Sequence, residues 1–133
     1  MKVVLDANVV VAAFAARGLC ESLFEHCLAS HEILLSEPLL EEIRRNLAKK
    51  VKLDRRTIAS IDRLLRQNGS ILEPTEVTLG ACRDVADLHL LGLVKTAKPD
   101  YLVTGDEDLL VLNRFERCPI ITPRRFWSFV QRQ

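Results

Sequence analysis

Five short, largely apolar runs recur along the chain: VVL at 3–5, ILL at 33–35, SIL at 70–72, YLV at 101–103 and PII at 119–121. A strand with one wet face alternates apolar and polar residues. A run without that alternation belongs to a strand covered on both faces, as in parallel sheets. Helical patterns fill the gaps. LLEEIRRNL sets Leu40, Ile43 and Leu47 on one stripe. DRRTIASIDRLLRQNG opens with Asp54 as N-cap, is expected to bury Ile58, Ile61, Leu64 and Leu65, and stops at Asn68-Gly69. Shorter helices are expected over DLHLLGLV and DEDLLVLN. A last one follows Pro123, with Phe126, Trp127 and Val130 as packing residues. This alternation predicts an α/β domain with a mainly parallel five-stranded sheet and helices on both faces. The stretch 73–83 is the least regular and reads as a connector.

In such a sheet the chemistry lies outside the carboxyl ends of the strands. VVL is followed by Asp6, ILL by Ser36 and a helix holding Glu41 and Glu42, YLV by Thr104-Gly105-Asp106, and PII by Thr122. An unpaired carboxylate inside a core is costly. Asp6, set between VVL and VVVAAF, is therefore expected at the end of a strand, facing a shared crevice.

Helical phase sorts the other acids, since each residue turns about 100°. Against the stripe of Leu40, Ile43 and Leu47, Glu42 falls nearer the buried edge and Glu41 nearer solvent. Asp84 and Asp87 share a face that continues through Leu91 and Val94, placing Asp87 at the top of a core-facing stripe. His89 points the other way and reads as a surface or structural histidine. Asp106 follows a strand directly, while Asp108 reads as a first-turn helix acid. Carboxylates gathered in one crevice repel and raise each other's pKa. A hard divalent cation relieves that repulsion, and an all-oxygen donor set favours Mg²⁺ or Mn²⁺ over zinc. Such ions support in-line phosphodiester displacement.

The chain has 133 residues, enough for one domain with its own core. No apolar run approaches the roughly 20 residues needed to cross a bilayer. The N-terminal stretch makes a poor signal peptide, so a cytoplasmic protein with no membrane partner is expected. Cys20, Cys27, Cys82 and Cys118 form no C-x-x-C pair and read as small hydrophobes in a reducing compartment. The net charge of +1 hides blocks. Residues 1–43 carry two basic and seven acidic groups, whereas residues 44–66 carry nine basic and two acidic. Acidic segments beside basic ones suit a metal site next to a polyanion.

VVLDANVVVAAF, LLSEPLLEEIRRNL, DVADLHLLGLV and PDYLVTGDEDLLVL, taken in order, resemble the PIN-domain family, and in particular its VapC-like toxin ribonucleases. The resemblance covers essentially the whole chain, and its most specific part is YLVTGDEDLL combined with LDAN. It implies a single PIN domain over 1–133, a three-layer α/β/α fold, with 37–67 as a helical arm that takes part in dimer and antitoxin contacts in related proteins. The implied activity is metal-dependent endoribonuclease cleavage, with Mg²⁺ or Mn²⁺ as cofactor, RNA as substrate, an antitoxin protein as partner and a homodimer as assembly.

The resemblance matches Asp6, Glu42, Asp87 and Asp106 to the family's four acids, as metal ligands and catalytic residues. Asn8 matches a polar position that supports the first acid, and Thr104 a hydroxyl position before the last. Asp84 supports the third acid and is the alternative to Asp87, since DVAD departs from the proline and extra acids frequent in relatives. Arg44, Arg45, Lys49, Lys50 and Lys52 are candidates to hold an RNA backbone electrostatically. Three rival readings remain: a PIN-fold binding or regulatory protein, a DNA-directed nuclease with the same metal chemistry, and an aspartyl-nucleophile phosphotransferase. The last usually has a second aspartate where this chain has Asn8.

Overall fold

The computed structural model describes residues 1–132; Gln133, the last residue of the expected domain, lies outside the described residues. The expected strands form as β1 (Lys2–Leu5), β2 (Glu32–Leu35), β3 (Gly69–Ile71) and β4 (Tyr101–Val103). The sixth strand in the chain, β6 (Cys118–Ile121), contains PII, and all five pair in parallel. In β1 and β2 only the first residue, Lys2 or Glu32, is exposed. This two-sided burial is why their sequences do not alternate. One further strand, β5 (Arg114–Phe115), pairs antiparallel with β6 at the sheet edge, so the sheet has six strands rather than five. Its two residues are too few to leave a pattern.

Helices α1 (Ala7–Ala15) and α2 (Leu19–Ser30) link β1 to β2. Helices α3 (Glu37–Asn46) and α4 (Arg55–Asn68) link β2 to β3, joined by a π-helical turn at Leu47–Val51. A 3₁₀ turn at Val85–Asp87 leads into α5 (Leu88–Ala97), then come α6 (Glu107–Leu110) and, after β6, α7 (Pro123–Gln131). Side-chain caps fix the starts of α3, α4 and α7. Ser36 Oγ accepts from the Leu39 N–H at 3.2 Å, Asp54 Oδ1 from Thr57 at 2.8 Å and Thr122 Oγ1 from Arg125 at 3.2 Å. On α4, Ile61 and Leu65 are buried, whereas Ile58 and Leu64 sit at the edge of the stripe and are only half-buried. In the tail, Phe126 and Val130 are buried and Trp127 half-buried.

The strand order is β3-β2-β1-β4-β6-β5. From β1 the chain winds outward through β2 to β3, then crosses to the other side of β1 to lay down β4. Right-handed crossovers put the connections of the two halves on opposite faces of the sheet. The winding reverses between β1 and β4, and there the carboxyl ends leave a crevice. The irregular stretch after β3 crosses α5 at Gly92, whose carbonyl accepts from the Thr75 N–H at 3.2 Å. A Cβ at position 92 would collide with the Thr75 carbonyl, so glycine is required at this crossing. Cys27, Cys82 and Cys118 are buried and all four cysteines are free. Burial pushes the Cys27 thiol up to about 12 and that of Cys118 up to about 11, the opposite of a reactive thiolate.

Candidate active site

Asp6 ends β1 and is 3% exposed. Its N–H donates to the Val103 carbonyl at 3.0 Å, which ties it to the end of β4. The next residue but one after Val103 is Gly105, and between them the fully buried Thr104 joins the two strand ends. Its hydroxyl donates to Asp6 Oδ2 at 2.6 Å and accepts from the Asp106 N–H at 3.0 Å. Its own N–H donates to the Ile121 carbonyl of β6 at 3.0 Å. One hydroxyl thus sets two carboxylate-bearing residues from strands that reverse the winding. Asp106 in turn caps α6, its Oδ1 accepting from the Asp108 N–H at 2.9 Å.

Two more acids close the crevice. Glu42, on α3, is half-buried while Glu41 is exposed, as the helical phase predicts. Asp87 ends the 3₁₀ turn at 9% exposure, and its Oδ2 has no hydrogen-bond partner among the described residues. Asp84 is exposed and turned to local work: its Oδ1 accepts from the Ala86 N–H at 3.0 Å. The geometry therefore puts Asp87, and not Asp84, in the crevice.

The electrostatics follow from this grouping. Burial is the main cause that raises the Asp6 carboxyl above its ordinary value. The Thr104 hydroxyl pulls it down, while repulsion from Glu42 and Asp106 adds to the rise. Asp87 is also raised, by burial first, then by contact and repulsion with Asp106, then by Asp6 and Asp84. Asp6 thus feels Glu42 and Asp106, and Asp87 feels Asp106 and Asp6, so Asp6 and Asp106 link the four acids. Among the described residues no three carboxylate, histidine or cysteine side chains are drawn tightly enough together to enclose an ion.

Three sequence expectations change here. Asn8 does not touch Asp6: helix α1 begins at Ala7 and turns Asn8 outward, where its Oδ1 accepts from Lys50 Nζ at 3.2 Å. Thr104 supports the first acid instead. Arg44 is not a free cation, since its Nη1 donates to Asp62 Oδ1 at 2.8 Å. His89 does not face away: its Nε2 lies 3.0 Å from Glu42 Oε1, inside the site. Of the other basic candidates, Arg45, Lys49 and Lys52 are exposed. Lys50 reaches Asn8, two residues from Asp6.

A family model described as PIN domain matches residues 2–108. The chain belongs to the PIN domain family. PIN domains are generally nucleases that cleave phosphodiester bonds, and they typically use divalent metal ions. Solved structures share the fold. VapBC2 from Rickettsia felis, bound to a DNA fragment from its promoter, superposes with a TM-score of 0.63 at 18% identity, covering 92% of this chain and 98% of that one. The PIN domain of T. brucei RRP44 gives 0.57 at 13% identity, covering 96% of this chain and 79% of that one. No curated protein sequence matches. The PIN domain match spans Asp6, Glu42, Asp87 and Asp106, while α7 and the β5–β6 edge lie beyond it.

Proposed function

We propose that this PIN domain is a divalent-metal-dependent endoribonuclease, the toxin component of a cytoplasmic toxin–antitoxin pair. One observation carries the reading. Asp6 and Asp87 are buried, raised carboxyls set against Glu42 and Asp106, and Asp87 Oδ2 has no partner. Among the described residues nothing basic is bonded to these four acids apart from His89 on Glu42. A structural role would be better served by neutral side chains; an ion-binding role needs these charges. The donor set is all oxygen and fits Mg²⁺ or Mn²⁺. Asp6, Asp87 and Asp106 would hold the ion, with Glu42 as a ligand or as the group that orients the attacking water. The ion supplies Lewis acidity and water activation for in-line phosphodiester hydrolysis.

The chain's own residues supply the rest. Thr104 keeps Asp6 and Asp106 in register, and Lys50 offers a cation at the rim for a backbone phosphate. Arg45, Lys49 and Lys52 extend that basic edge. The sequence resemblance to VapC-like toxins supports an antitoxin partner and a homodimer, and VapBC2 as a fold neighbour agrees with it. The test is cleavage of a labelled RNA pool, with DNA of the same sequences in parallel, in Mg²⁺, in Mn²⁺ and in chelator. Metal-dependent RNA cleavage that vanishes in Asp6→Asn is expected. Folded protein that cuts neither polymer would leave a binding role, and cleavage confined to DNA would replace the substrate.

A further inference from the structure

We infer that His89 is a positioning residue for Glu42: it fixes that carboxylate in the crevice and thereby sets the affinity of the site for its divalent cation. The inference rests on the metal-dependent reading above. Its first support is geometric. His89 Nε2 and Glu42 Oε1 are 3.0 Å apart and both side chains are about one-quarter exposed. The two residues lie on α5 and α3, helices that touch each other. The pair is a polar tie across the crevice between residues 47 apart in sequence.

The second support is the orphaned atom. His89 Nδ1 is buried and has no hydrogen-bond partner among the described residues. The Glu42 carboxylate only accepts, so Nε2 carries the hydrogen of this pair. The imidazole is thereby held in one tautomer that donates to Glu42. It has no free donor aimed at solvent, and its buried Nδ1 cannot reach a phosphodiester. A positioning role follows, not a direct one. A glutamate on a helix keeps considerable rotamer freedom, and repulsion between Glu42 and Asp6 disfavours rotamers that bring the two carboxylates together. One N–H on Oε1 opposes both effects and leaves Oε2 available. Outer groups that orient a metal-ligating side chain typically change metal affinity by about 10- to 100-fold when removed.

The experiment titrates Mn²⁺ into wild type, His89→Leu, His89→Gln, Glu42→Gln and the His89→Leu/Glu42→Gln double variant, reading bound metal by electron paramagnetic resonance. Glutamine can place an N–H near the position of Nε2; leucine cannot. The expected result is about a 10- to 100-fold loss for His89→Leu and near-complete recovery in His89→Gln. His89→Leu should add nothing once Glu42 is Gln, because a residue that acts through Glu42 has no further route. Thermal melts of the same set separate unfolding from altered affinity. Wild-type affinity in His89→Leu, or an equal further loss in the double variant, would overturn the role while leaving the nuclease reading standing. Wild-type protein that binds no Mn²⁺ would overturn the metal-dependent reading, and the role of His89 with it.

Discussion

Two groups of acids in this chain are treated in opposite ways. On α3 and α4, Glu37 and Asp62 surround Arg66, which donates to Glu37 at 2.6 and 2.8 Å and to Asp62 at 2.8 Å. The Arg66 guanidinium holds the Glu37 carboxyl below its ordinary value. Burial pulls Asp62 upward, yet hydrogen bonds from Arg66 and Arg44 leave it lowered. In the crevice, Asp6 and Asp87 are raised. Charges on the helices are balanced within the protein, whereas among the described residues no Lys or Arg is bonded to Asp6, Glu42, Asp87 or Asp106. A cluster that the fold neutralises itself contributes to structure; one that it leaves charged costs stability and is kept for what it binds.

The strongest way to test that contrast is Asp87→Asn in metal-free protein. Below pH 3.8 the folded and unfolded chains both hold Asp87 protonated, so its full stability is present there. As pH rises, the unfolded chain gives up its proton first. The folded state then loses stability until the pH passes the raised folded value. The wild type should therefore melt progressively lower as pH rises from about 4 through neutrality. Asp87→Asn should flatten that slope, gain on the order of 2 kcal/mol at neutral pH, and lose cleavage. Mg²⁺ or Mn²⁺ should restore stability to the wild type and not to the variant. Calorimetry with and without chelator reads both effects; a slope unchanged by the variant would assign the penalty elsewhere.

Thr104→Val probes the same crevice from its polar anchor. It keeps the shape and removes the hydroxyl, stranding Asp6 Oδ2 and the Asp106 N–H. Leaving such buried groups unsatisfied costs about 1–3 kcal/mol each way. The variant should melt lower and should raise the Asp6 carboxyl further. If stability holds, the hydroxyl does not organise the site.

The strand-end acids were legible because their position follows from topology alone. Asp6 and Asp106 come after apolar runs, and the carboxyl ends of parallel strands meet at the switch point. Glu42 was separable from Glu41 by phase on a regular helix. Phase misled where the helix was not regular. Residues 85–87 form a 3₁₀ turn, which advances about 120° per residue rather than 100°. The turn breaks the phase that set Asp84 and Asp87 against Leu91 and Val94, and His89 meets Glu42 because α3 lies against α5, which no local pattern records. Asn8 failed for a related reason: with α1 starting at Ala7, it lies about 200° round the axis from Asp6. Strand β5 and the Arg44–Asp62 pair were illegible because they depend on which elements meet, and no local pattern records that.

The smallest effect is expected on the balanced side. Asp62→Asn removes the shared partner of Arg44 and Arg66, while Arg66 keeps Glu37. Arg44 and Arg66 are each about one-third exposed, so water screens what is lost. A loss of about 1 kcal/mol or less is expected, shrinking further in high salt. The direction matters more than the size. Neutralising an acid should destabilise the protein on α4 and stabilise the metal-free protein at Asp87, by the same replacement of a carboxylate with an amide. Denaturant melts of the two variants in one chelating buffer decide it. Equal signs would mean that the two clusters are one surface charge pattern, and that the crevice is not held charged for an ion.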